Sequence, residues 1–203
     1  MDELEQNICR AVYAVKEGNL VVLPTDTVYG VGADPFSVAA VSKLLTAKGR
    51  GRDKPSPVLV YSLEQARSLA SSLTEEAVKM AEDLWPGALT LVVPAQETIG
   101  WDLGETHGTV ALRMPNHPTA LELLNRTGPM AVTSANLTGN PPARTAQDAR
   151  EQLGEKVAVY IDAGLAPGGV PSTIVSFPAP GECHIIRQGA IRAEIIAKYG
   201  KIV

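Results

Sequence analysis

Four cations, Lys48, Arg50, Arg52 and Lys54, alternate with other residues through TAKGRGRDKP. Like charges this close repel one another unless an anion sits among them. Arginine offers paired donors that fit phosphate or carboxylate, and lysine a mobile point charge. Two readings are open, a solvated basic loop or an anion site. Lys48 alone also suits the C-terminal end of a helix, where a cation complements the macrodipole. As an unpaired cation it should be removable without unfolding the chain, since its deletion relieves repulsion. Lys54, beyond Asp53 and before Pro55, is expected to leave on the next strand.

Two other stretches carry polar groups at strand ends, where α/β proteins hold ligands. In PTDTVYGVGADP, Thr25, Asp26 and Thr27 leave a strand, and Gly30 and Gly32 are expected to allow a tight turn. The GxG there is not a dinucleotide fingerprint, because Asp34 and Pro35 follow, and it is not a P-loop. In TSANLTGNPP, Ser134, Asn136 and Thr138 follow a strand and Gly139 to Pro142 force a turn. Either stretch could be turn chemistry alone. GxSxG is absent and His107, His117 and His184 are not placed as a base for Ser134, so covalent serine catalysis is not expected.

The elements that must position these groups alternate. Ile8, Val12 and Val15 have helical spacing and Gly18-Asn19 stops them; LVVLP is a buried strand. Ser37 caps a helix with a stripe at Val38, Val41 and Leu45 that ends at Gly49. PVLVY is a strand, Ser62 with Gln65 and Thr74 with Glu75 and Glu76 start helices, and Trp85-Pro86-Gly87 breaks the second. ALTLVV and TVALR are strands, followed by a helix from about His117 to Arg126, the strand MAVTS, and a helix capped by Thr145 and Asp148 that ends near Gly154. VAVYI, STIVSF and CHIIR are strands too closely spaced for helical crossovers, and a short helix follows. The expected fold is a single α/β domain, residues 1–203, with a twisted mixed sheet flanked by helices.

Composition narrows the function. With 203 residues, 45% hydrophobic and 20% charged, the chain can bury a substantial core. A net charge of -4 argues against a general nucleic-acid coat but permits a local basic pocket. Cys9 and Cys183 have no zinc spacing and are expected as two buried thiols, and no metal site is expected. Without a leader or a run near the roughly 18 apolar residues of a membrane helix, a cytoplasmic protein with no membrane partner is expected.

LPTDTVYGVGAD, AKGRGRDKP, WPGALTLVV, VALRMPNHP, TSANLTGNPP, PSTIV and IIRQGAI occur in that order from about Val21 to Ile191, and through them the chain resembles the YrdC-like family. The resemblance implies a sheet curved around a deep basic cavity. It also implies the activity of an L-threonylcarbamoyladenylate synthase, joining L-threonine, bicarbonate and ATP, with Mg2+, into threonylcarbamoyl-AMP and pyrophosphate. That product would serve threonylcarbamoyl modification of the tRNA adenosine next to the anticodon, with other tRNA threonylcarbamoylation proteins as partners and a possible tRNA contact. The family's KxR and SxN elements fall on Lys48, Arg50, Ser134 and Asn136, implying contacts to nucleotide phosphates and reacting carboxylates. Thr25, Arg113 and Ser172 would hold threonine, and Arg52 and Arg187 would contact ATP. Asp26 is a candidate for the metal.

Three departures qualify the resemblance. Leu59 stands near a position where many relatives carry a threonine-contacting histidine, with Tyr61 just beyond, and Pro142 replaces a serine of some relatives and offers only a carbonyl. The chain stops at Val203, like the short single-domain form. Other readings are a tRNA- or double-stranded-RNA-binding module without catalysis, which the acidic composition and few aromatics disfavour, and a carbamoyl-transfer domain like those of hydrogenase-maturation proteins.

Overall fold

The computed structural model describes residues 3–203. Helix α1, Glu3–Lys16, buries Ile8, Ala11, Ala14 and Val15 on the face that the spacing predicts. The chain reverses at Gly18, whose φ of 69° suits glycine, and enters β1, Val21–Leu23. Val22 points into one apolar cluster and Val21 and Leu23 into another, because successive strand side chains alternate faces.

The expected turn at Gly30 and Gly32 is instead strand β2, Gly30–Ala33, paired antiparallel with β1. The glycines serve close packing rather than reversal. A Cβ at Gly30 would stand 2.6 Å from Val132 Cγ1, and one at Gly32 would stand 2.9 Å from Met130 Cε.

Helix α2, Val38–Lys48, is capped by Ser37, whose hydroxyl accepts from the Ala40 amide, and closed by Gly49 at φ 59°. Its buried face differs from the expected stripe. Val38 is 52% exposed, and Lys48 is only 2% exposed beside Ala40, Val41, Leu44, Leu45 and Ala47. Strand β3, Val58–Leu59, precedes α3, Leu63–Leu69, and α4, Glu75–Leu84, capped by Ser62 and Thr74 as their spacing predicts. Then come β4 (Leu89–Pro94), β5 (Thr109–Arg113), α5 (Pro118–Thr127), β6 (Met130–Ser134) and α6 (Ala146–Leu153) with its Thr145–Asp148 capping box. The chain ends in β7 (Val159–Tyr160), β8 (Thr173–Ser176), β9 (Glu182–Arg187), α7 (Ala193–Ile196) and a strand that the sequence reading lacks, β10 (Lys201–Ile202).

The strands form one mixed sheet in the order β10-β9-β8-β4-β5-β3-β6-β2-β1-β7. Leu89, Leu91 and Val93 of β4 and Val110 and Leu112 of β5 face a core built with α2, α3, α4 and α6. On the opposite face α1 and α5 cover Val21, Leu23, Met130 and Val159. The intervening residues of the central strands, Thr90 and Val92 of β4 and Thr109, Ala111 and Arg113 of β5, line a cavity on that second face. Among the described residues no helix is long and apolar enough to cross a membrane. Cys183 is buried as expected, whereas Cys9 lies exposed on α1.

Candidate active site

The cavity holds about 450 Å³ and brings together Thr25, Arg50, Arg113, Ser134, Ser172 and Arg187 from distant parts of the sequence. Lys48, Arg52 and Asn136 are not among its lining residues. Strand alternation supplies the floor, and the loops after β1, between α2 and β3, and between β4 and β5 supply the walls.

At the exit of β1 the Thr25 hydroxyl donates to the Val28 carbonyl at 2.7 Å and accepts from the Thr27 amide at 3.1 Å. Its proton is thus engaged, so Thr27 Oγ1, 3.0 Å away, donates to it. Thr27 Oγ1 in turn accepts from Arg113 Nη1 at 3.0 Å. Arg113 is buried and fixed on two further sides, by the Gly87 carbonyl at 3.0 Å and by Asp26 at 2.6 Å. Burial pulls its pKa down, the Asp26 carboxylate opposes this, and Arg187 adds repulsion. Asp26 Oδ1 also accepts from the Asn116 amide at 2.9 Å, so this carboxylate is a counterion and loop anchor.

Across the cavity Arg187 donates to the Ser172 carbonyl at 2.7 Å and to its hydroxyl at 3.1 Å. That hydroxyl lies 2.8 Å from Thr90 Oγ1, so a buried hydroxyl pair sits beside the guanidinium. Burial lowers the pKa of Arg187 and, together with repulsion from Arg187, that of Arg50. Arg50, Arg113 and Arg187 thus share one enclosed space, an arrangement that favours an anion.

The basic cluster divides into four different environments. Lys48 Nζ donates to the Ser134 carbonyl, to the Asn136 carbonyl at 2.5 Å and weakly to Asn136 Oδ1 at 3.5 Å. It is therefore not the unpaired cation expected from sequence. Burial, then Arg50, lowers its pKa to about 8. Arg50 reaches Lys54 O at 2.6 Å, Thr133 Oγ1 at 3.2 Å and Pro55 O at 3.2 Å, and so folds the α2–β3 loop around itself. Arg52 turns outward onto Asp102 at 2.5 Å. Lys54, expected to leave, remains an exposed lining residue. Asn136 staples its own turn by donating to the Leu137 and Asn140 carbonyls, each at 2.8 Å.

Several lining residues escape the sequence reading. Thr90 was visible as the polar member of ALTLVV, on the face opposite Leu89 and Leu91. Glu105, Thr106 and His107 come from the β4–β5 loop, where His107 adopts a φ of 51°, unusual for a non-glycine residue. Glu105 is the one carboxylate among the described lining residues. Leu59 lines the cavity where the resemblance expects histidine, and Tyr61 does not.

A family model described as "Telomere recombination", Sua5/YciO/YrdC, matches residues 13–189. A protein of Mycobacterium tuberculosis is 50% identical over 197 residues, covering 97% of this chain and 90% of that one. The threonylcarbamoyl-AMP synthase of Pyrococcus abyssi is 38% identical over 185 residues, covering 91% of this chain and 54% of its own length. The crystal structure of P. abyssi Sua5 complexed with L-threonine superposes with a TM-score of 0.92 at 35% identity, covering 100% of this chain and 60% of that one. The chain thus spans little more than half of the archaeal relative.

Proposed function

The chain belongs to the Sua5/YciO/YrdC family, and from that premise we propose that it is an L-threonylcarbamoyladenylate synthase, condensing L-threonine, bicarbonate and ATP into threonylcarbamoyl-AMP and pyrophosphate. The observation that carries the reading is the convergence of Arg50, Arg113 and Arg187 with the hydroxyls of Thr25, Thr27, Thr90 and Ser172 on one cavity. ATP, bicarbonate and the carboxylate of threonine each bring negative charge, and a confined set of cations offsets their repulsion while holding them in reacting geometry.

Arg113 and Ser172 hold the threonine carboxylate, and Thr25 reaches the substrate's amine or hydroxyl by exchanging one of the bonds its own hydroxyl makes to Val28 and Thr27. Arg187 and Arg50 take the nucleotide phosphates. Bicarbonate gives carbon dioxide and hydroxide; the threonine ammonium gives one proton to that hydroxide, forming water, and a second to solvent as its nitrogen bonds the carbon, leaving a carbamate. A carbamate oxygen then attacks the α-phosphorus, the bond to the β-phosphate bridging oxygen breaks, and pyrophosphate leaves. Charge develops on the phosphoryl oxygens, where Arg50 and the Ser134 hydroxyl stabilise it. Lys48 and Asn136 act through Ser134, whose loop they hold, and Arg52 reaches ATP only by exchanging Asp102 for phosphate.

The described residues contain no group of three or more potential metal ligands, and Asp26 is engaged by Arg113. A protein cage for a metal does not fit, but magnesium bound mainly by phosphates and water does. We therefore treat Mg2+ as part of the ATP substrate, with Glu105 the lining carboxylate available to it. The product serves threonylcarbamoylation of tRNA in the cytoplasm, completed by other proteins that receive it and bind the tRNA.

The test is to incubate the protein with ATP, threonine and bicarbonate and measure pyrophosphate. Release that persists when threonine is omitted defeats the synthase reading. Sequence-independent RNA binding tighter than ATP binding at physiological salt would favour a non-catalytic RNA-binding module instead.

A further inference from the structure

Thr90 on β4 and Ser172 at the entrance of β8 both line the cavity. Leu89 and Leu91 face the core, so Thr90 between them faces the cavity. The parallel register sets it opposite Ile174, a lining residue two places beyond Ser172. On its other side, the antiparallel register that pairs Leu91 with Leu112 continues to Thr90 and Arg113. Thr90 therefore stands between Arg113 and Ser172 on one face of the sheet.

The protons of this group do not all find acceptors. Ser172 Oγ accepts from Arg187 Nη2 at 3.1 Å, and a guanidinium accepts nothing in return. The 2.8 Å contact between the two hydroxyls uses one of their two protons. Neither oxygen has a further acceptor among the described residues, so whichever hydroxyl donates, one proton stays unspent. A buried donor left in that state costs stability, and an anion entering the cavity relieves it.

Arg187 favours one of the two arrangements for a bound anion. Its Nε and Nη2 both donate to the Ser172 carbonyl, which fixes the guanidinium against Ser172. When Thr90 is the donor, Ser172 Oγ receives protons from Thr90 and Arg187 together, and its own O–H points away from both. Accepting two bonds also polarises that O–H and makes it the stronger donor.

We propose that Thr90 is a positioning residue for the amino-acid substrate: its hydroxyl donates to Ser172 Oγ and thereby turns the Ser172 proton onto the carboxylate of threonine. This rests on the synthase reading above, which places that carboxylate at Arg113 and Ser172.

Calorimetric titrations of the wild type, Thr90→Val and Thr90→Ser with L-threonine, and separately with α,β-methylene-ATP, test it. Thr90→Val keeps the side-chain shape and removes the hydroxyl, so threonine affinity should weaken about fivefold, as loss of one neutral hydrogen bond does, while nucleotide affinity holds. Thr90→Ser keeps the hydroxyl and deletes a buried methyl, so its melting temperature should fall while threonine affinity stays near that of the wild type. A merely structural role would make affinity follow stability. In a Ser172→Ala background Thr90→Val should bring no further loss, because Thr90 acts through Ser172. Unchanged threonine affinity in Thr90→Val, equal weakening of both ligands, no rescue by Thr90→Ser, or full additivity with Ser172→Ala would each overturn the proposal. A wild type that binds neither ligand would defeat the synthase reading itself, a separate result.

Discussion

Lys48 Nζ lies 2.5 Å from the backbone carbonyl of Asn136, fastening the end of α2 to the loop that follows β6. The same loop returns a bond, because the Thr138 amide donates to the Lys48 carbonyl at 2.9 Å. Ser134, which faces the cavity, therefore owes its position to a lysine that does not.

Replacing Lys48 by alanine is expected to destabilise the fold by about 2 kcal/mol or more, since two buried carbonyls lose their donor. Activity should fall with it. Urea denaturation checks this, and a variant as stable as the wild type would restore the free-cation picture.

Stability should also depend on pH through Lys48. Burial, then Arg50, holds its pKa at about 8, against an ordinary 10.5 in the unfolded chain. Between those values the unfolded state binds more protons, so stability rises with pH across this window, and the cost of the buried charge is fully present below it. Melting curves of the wild type and Lys48→Met from pH 7 to pH 10 isolate the effect. Parallel curves would exclude it.

Arg50→Ala should lower kcat on the order of a hundredfold, because roughly 3 kcal/mol of transition-state stabilisation is lost with such a donor. Lys54→Ala, which removes an exposed rim cation, should mainly raise KM and by much less. Steady-state rates with ATP varied decide the matter, and equal small effects would remove the α2–β3 loop from catalysis.

Asp26→Ala leaves the buried Arg113 guanidinium without its counterion, a change that costs about 3–5 kcal/mol in such pairs. Asp26→Asn, which keeps an acceptor, should cost less. Thermal melting ranks the two, and threonine affinity should follow the same order.

Gly30→Ala forces a methyl to within 2.6 Å of Val132 Cγ1. A loss of about 1–3 kcal/mol is expected from such overpacking. A neutral substitution in chemical denaturation would show that β6 yields freely.

Local rules made much of this fold legible. Ser37, Ser62, Thr74 and Thr145 cap the helices that their spacing marks, and Gly49 ends α2. What failed depends on long-range neighbours. Gly30 and Gly32 resemble turn residues until Met130 and Val132 are known to lie against them. The burial of Lys48 was hidden because its partners are main-chain carbonyls, which carry no side-chain signal, and the outward turn of Arg52 depends on Asp102. Of the site, the three motif stretches were visible, whereas Glu105, Thr106 and His107 needed the folded sheet to bring their loop to the cavity.

The strand order also bears on how the molecule is made. Gly30 pairs with Ser134 and Val21 with Val159, in each case across more than a hundred residues of intervening chain. Such pairings have high contact order, and their loop-closure entropy must be met before they contribute. During synthesis the apolar β1 emerges long before β6 and β7 exist to cover its neighbours, so the growing chain exposes aggregation-prone surface for much of its translation. A nascent chain halted before Met130 would carry Arg50 and Arg113 but lack β6, which pairs with both β2 and β3 in the cavity's sheet.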